Sequence, residues 1–240
     1  MIKDRLLNYT IEATKNRQII LFFNHRASLY HWWKAKTRFN GEPIRVLTLD
    51  SHYDLNEIVD EDFIYYQAKV DAYQKIKSFM DNQNDNGFKQ YVEEKIGFGN
   101  ENFIVPALKV GIIDEITILS NNMTDVRKKN CDKINCYKPG ELKIKNENLL
   151  DIDLDFFIDR DNCEKFRRSE KFKLNLDQFN SFTIALEPGC CNGIDKSINY
   201  LKFVLNDFLG EIIDNSKEIS KCIQFFQDNF SIYWHNYGWN

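Results

Sequence analysis

Short unbroken apolar runs alternate along the chain with longer stretches in which apolar residues recur every three or four positions. Residues 17–23 (RQIILFF), 44–49 (IRVLTL), 115–120 (EITILS), 149–157 (LLDIDLDFF) and 181–186 (SFTIAL) are of the first kind. Such runs predict strands buried on both faces. Helices are predicted over residues 2–14, 27–36, 60–80, 89–96, 105–111, 194–213 and 217–228. Residues 81–88 (DNQNDNGF) read as a polar loop, and 121–146 as irregular chain with strand-like pieces at 134–137 and 141–145. Strands alternating with helices predict an α/β fold, a three-layer α/β/α arrangement around a central parallel sheet. Ligands of such sheets sit beyond the carboxyl ends of the strands.

The 240 residues are expected to form one domain. Hydrophobic residues make up 43% and charged residues 28%, as in an ordinary globular protein. The net charge is −4 and Lys and Arg form no block, which argues against nucleic-acid binding. The N-terminal segment has no apolar core of a signal peptide, and no apolar run is long enough to span a bilayer, so a cytoplasmic protein is expected. The six cysteines (131, 136, 163, 190, 191 and 222) match no zinc framework and read as reduced thiols.

Acidic residues cluster where strands end. In LTLDSHYDL, Asp50, His52 and Asp54 recur at period two, so an extended chain turns all three to one side. Crowded carboxylates beside an imidazole call for a cation, while an ordinary solvated loop is the competing reading. In LLDIDLDFF, Asp151, Asp153 and Asp155 repeat the pattern within an apolar strand. The competing reading there is an edge strand with one wet face. Taken together, the two runs favour metal binding. His25 follows the first strand directly, and Glu187 follows the last. His31 lies among Trp32 and Trp33 and reads as packing or gating, and His235 stands in an aromatic tail. Oxygen donors with imidazoles suit Mn²⁺ better than structural zinc.

These residues resemble the arginase/deacetylase superfamily, in particular its ureohydrolase branch. Asp50-Ser51-His52-Tyr53-Asp54 matches that family's DxHxD motif, and Asp153-Leu154-Asp155 its DxD pair, with Asp151 where the family often has Ser. His25 is similar to the His that closes the first metal site, and Glu187 to the Glu that binds a substrate guanidinium. LTLDSHYDL, ENFIVPAL and LDIDLDFF together resemble the peptide arginases, which convert arginines of ribosomally made precursor peptides to ornithine and release urea. The resemblance runs over about residues 17–190.

It implies two Mn²⁺ per chain, one held by His25, Asp50, Asp54 and Asp153, the other by Asp50, His52, Asp153 and Asp155. It implies attack of a metal-bridging hydroxide on the guanidinium carbon of an arginine-containing precursor peptide, with Glu187 orienting that group. Asp151 falls outside the implied ligands, although the neighbouring register, with Asp151 and Asp153 binding, is an alternative. No counterpart of the arginase proton-shuttle His follows Asp54; Asn102 and His235 are the candidates for proton delivery. Nor are the loops that grip a free amino acid's α-groups recognisable, which suits a peptide substrate. The competing functions are a small-molecule ureohydrolase acting on free arginine or agmatine, a single-zinc deacylase, and a catalytically silent peptide-binding protein.

Overall fold

The computed structural model describes residues 8–52, 73–93, 103–120, 132–138, 141–158, 174–213 and 215–237. Seven strands form one sheet: β1 (Asn8–Ala13), β2 (Arg17–Phe22), β3 (Arg45–Leu49), β4 (Glu115–Leu119), β5 (Ile134–Tyr137), β6 (Leu149–Asp153) and β7 (Ser181–Ala185). Their order is β1-β2-β7-β6-β3-β4-β5. Every neighbouring pair is parallel except β1 with β2. The helices are α1 (Ser28–Arg38), α2 (Asp85–Glu93), α3 (Ile104–Lys109), α4 (Ile194–Phe203) and α5 (Ser216–Tyr237), and residues 73–81 are also helical. The chain is therefore an α/β protein with a mostly parallel sheet.

The continuous apolar runs make sense because both faces of the inner strands are covered. Leu21, Leu49, Ile152 and Ile184 point to one face and pack with Leu201 of α4 and Phe226 of α5. Ile20, Phe22, Val46 and Ile116 point to the other and pack with Trp32 of α1, Phe88 of α2 and Ile104 of α3. Phe88, Phe103 and Ile104 of the connection after β3 pack on the second face, whereas Leu154, Phe156 and Phe157 after β6 join the first. The sheet thus has its switch point between β3 and β6, the place at which ligands of such sheets bind.

Several predicted elements differ. Residues 8–13 are not helical: Ile11 and Ala13 are buried while Thr10 and Glu12 are exposed, a period-two pattern that pairs with β2. Residues 2–7 of that predicted helix lie outside the described set. The polar run 81–88 is a loop only in part. Asn84 accepts the Gly87 N–H at 3.0 Å and caps α2, and Phe88 is fully buried. Residues 141–145 form no strand. The helix from Ile194 ends at Phe203 and gives way to a π-helical turn, Val204–Phe208. Strand β6 stops at Asp153, because the Asp153 side chain accepts the Asp155 N–H at 3.1 Å and tucks Leu154–Phe157 into a 3-10 turn. No described helix is long and apolar enough to cross a membrane.

Candidate metal centre

His25, Asp50, Asp153 and Asp155 arrive from the carboxyl ends of β2, β3 and β6, the last two of which flank the switch point. After β2, Asn24 accepts the Arg26 N–H and starts the short turn His25–Ala27 that leads into α1. Asp50 follows β3, and Asp153 closes β6. All four side chains are buried, and His52 is half out of the protein, its side chain 57% exposed.

Two groups of donors form here, and they share Asp50. In the inner group, His25 Nδ1 lies 3.5 Å from Asp50 Oδ2 and 3.3 Å from Asp153 Oδ2. In the outer group, His52 Nδ1 lies 3.9 Å from Asp50 Oδ1 and 2.7 Å from Asp155 Oδ2. Within each group the potential ligand atoms lie within 4.8 Å of one another. Local hydrogen bonds hold the carboxylates: the His52 N–H donates to Asp50 Oδ1 at 2.7 Å, and the Ser51 N–H to Asp155 Oδ1 at 3.2 Å.

The electrostatics fit a cation. Burial and the neighbouring Asp155 carboxylate push the Asp153 carboxyl up to about 7, against the opposing pull of His25. Asp155 Oδ2 is buried and accepts no hydrogen bond among the described residues, with His52 Nδ1 2.7 Å away. Asp50, Asp153 and Asp155 are buried carboxylates and His25 is the buried imidazole among them, a surplus of negative charge that a divalent ion would neutralise. Carboxylate oxygens with imidazole nitrogens are a donor set suited to Mn²⁺.

Asp151 belongs to neither group. It lies one pleat deeper in β6, fully buried, and faces the other side of the His25 ring, with Nε2 2.6 Å from its Oδ2. Its remaining positions are taken by hydroxyls of Ser28 (2.8 Å), Thr48 (2.9 Å) and Thr183 (2.5 Å). Burial alone would raise the Asp151 carboxyl. The contact with His25 and the hydroxyl hydrogen bonds outweigh burial and hold it below the usual range. For His25, burial disfavours the proton, but Asp151 and then Asp153 overcome it and hold the imidazole well above its ordinary value.

Glu187 is nearly fully buried at the end of β7. Its Oε1 accepts the backbone N–H of His25 at 2.5 Å, which pins the turn carrying that imidazole. Its backbone is left-handed (φ 38°), a conformation that costs a non-glycine residue on the order of 1 kcal/mol. Cys190 Sγ lies 4.0 Å from Glu187 Oε2, and burial with the surrounding acids raises its thiol. Cys136, Cys190, Cys191 and Cys222 are all free thiols.

Asp54 and Asn102 lie outside the described residues. His235 lies in α5, and only its backbone is described. His31 belongs to neither donor group; it is stacked on Phe22 at 5.1 Å, and burial lowers it to about 3. The extended geometry expected for residues 151–155 does not hold, since Asp155 sits in the turn rather than the strand. It is that turn which brings Asp155 to the outer group while Asp151 stays below. Sequence reasoning missed Ser28, Thr48, Thr183 and the Phe103 ring packed edge-on against His25 at 4.9 Å. Single hydroxyls in apolar strands carry no signal of their own; their alignment depends on strand register. No family model matches the chain, and no curated protein matches it.

Proposed function

We propose that this protein is a dimanganese hydrolase of the arginase type that converts peptidyl arginine to ornithine and urea. The observation carrying this reading is the pair of adjoining imidazole–carboxylate groups that share Asp50 at the switch point. His25, Asp50 and Asp153 would hold one ion, and Asp50, His52 and Asp155 the other, with Asp54 the further ligand that the family resemblance implies. Bound there, a divalent pair would supply an acidified water as the nucleophile.

The chain's own residues do the rest. The buried His25 and Asp153 define a rigid floor, and the exposed His52 marks the side from which a substrate enters. Glu187, anchored by the His25 N–H on its Oε1, would orient the guanidinium, as the family resemblance implies; such positioning is a large part of what a hydrolase contributes. The reaction balances as water plus the guanidinium cation giving urea and the ornithine ammonium ion. Asn102 and His235 are the candidates for delivering the proton to that amine.

The test is co-expression in Mn²⁺-supplemented medium with arginine-containing peptides encoded beside the gene, followed by mass spectrometry. The expected result is loss of CH₂N₂ per converted arginine, abolished by Asp153→Ala. Urea released from free arginine or agmatine, with peptides untouched, would replace this reading with a small-molecule ureohydrolase. One zinc per chain on metal analysis would favour a deacylase.

A further inference from the structure

The Asp151 carboxylate has a feature that metal ligation does not explain. Its four contacts come from four places: His25 in the turn after β2, Ser28 at the start of α1, Thr48 in β3 and Thr183 in β7. Thr48, Asp151 and Thr183 stand side by side on one rung of the sheet, in register across β3, β6 and β7. On that rung all three side chains point to the α1 face, and the Ser28 hydroxyl closes the cradle from above.

An ionised carboxylate has about four acceptor positions and no donor. Here each oxygen takes two contacts: Ser28 and Thr183 on Oδ1, and His25 Nε2 and Thr48 on Oδ2. A carboxylate filled in this way accepts only from N–H and O–H groups, so the nitrogen of His25 that faces it must carry a hydrogen. The lone pair of the neutral ring is then on Nδ1, which faces Asp50 and Asp153.

We propose that Asp151, clamped by Ser28, Thr48 and Thr183, is a positioning residue that fixes the orientation and tautomer of His25, so that the inner cation site is built before an ion arrives. This rests on the metal-centre reading but not on arginine as substrate. Supports of this kind behind a metal-binding imidazole are typically worth 10–100-fold in affinity. An amide in place of Asp151 offers donors as well as acceptors. It lets the ring reverse its tautomer, and it leaves a hydroxyl to be re-satisfied.

The experiment is Mn²⁺ titration calorimetry on the full chain, comparing wild type, Asp151→Asn, His25→Ala and the double variant. Asp151→Asn is expected to weaken the tighter Mn²⁺ step by about 10- to 100-fold. The same substitution is expected to have no further effect once His25 is Ala. A purely structural role would carry the same penalty into the His25→Ala background, and that result overturns the proposal, as does an Asp151→Asn affinity within about twofold of wild type. If Asp151→Asn does not fold, Thr48→Val and Thr183→Val replace it, with smaller losses that again vanish without His25. In the zinc-loaded wild type, the ring ¹⁵N shifts of His25 are expected to report hydrogen on Nε2; hydrogen on Nδ1 instead overturns the proposal. Mn²⁺ binding without release of urea would defeat only the arginase reading. An unchanged Asp151→Asn variant would defeat only the positioning role. A wild-type chain that binds no divalent ion would overturn both.

Discussion

Asp151 and Asp153 are two residues apart on one strand, on the same face, and both are buried, yet their surroundings treat charge in opposite ways. Asp151 is met by three hydroxyls and an imidazole and is held ionised below the usual carboxylate range. Asp153 is met by another carboxylate and pushed up to about 7. Burial disfavours both anions equally well, so the difference comes from the neighbours: donors converge on the lower rung and acceptors on the upper. The lower rung is complete as it stands. The upper rung becomes complete only with a cation. One short strand therefore carries both a structural anchor and the site it supports.

Matched amide substitutions test this contrast, and the largest effect is expected on metal binding. Asp153→Asn should weaken Mn²⁺ by more than the roughly 100-fold ceiling for a supporting residue, read by calorimetry. The same variant should make the metal-free chain more stable. A carboxyl with a raised folded-state value costs nothing at low pH, and its cost appears as pH rises from 3.8 through about 7. At pH 8, Asp153→Asn should therefore gain stability in urea unfolding, and the gain should vanish below about pH 4. Asp151→Asn should go the other way and lose about 3 kcal/mol, because its donors lose their charged acceptor. Stability changes of the same sign at the two positions would break the comparison.

His25 and His31 give the contrast in base form. Both are buried, but His25 has carboxylates beside it while His31 has the Phe22 and Tyr30 rings and the cationic Lys89, Arg38 and Lys34 around it. His31 stays neutral in the folded chain down to about 3, whereas the unfolded chain takes up the proton below 6.5. Its contribution is thus present above pH 6.5 and is lost as pH falls, by about 1.4 kcal/mol per unit. His31→Phe should flatten the stability–pH profile between pH 6.5 and 3 and leave Mn²⁺ affinity unchanged. A profile that keeps its wild-type slope would show that His31 is protonated inside the fold. The smallest effect is expected from Thr183→Val, about 1 kcal/mol, since Asp151 keeps its other three contacts.

The inner strands were legible in the sequence because burial on both faces forces nearly continuous apolar runs, and β2, β3, β4 and β7 begin and end within a residue or so of those runs. The first strand was not, because its outer face is wet and NYTIEA carries too few apolar residues to separate a period of two from one of three or four. Helix α2 was expected only from residue 89, and its first turn was missed because Asn84 and Asp85, polar and turn-favouring, here cap and open a helix.

The sequence by itself determined that acids, His25 and Glu187 would cluster at the carboxyl ends of buried strands, since an apolar run that stops at an acid has already chosen its end. Only the tertiary structure decided how those acids divide. Where β6 stops depends on a hydrogen bond from the Asp155 N–H to Asp153, and that bend separates Asp155 from the strand. Whether a buried aspartate is satisfied or cation-seeking depends on what adjacent strands place beside it. Thr48 and Thr183 reach Asp151 from strands about a hundred and about thirty residues away in the chain, through a register that no local pattern encodes.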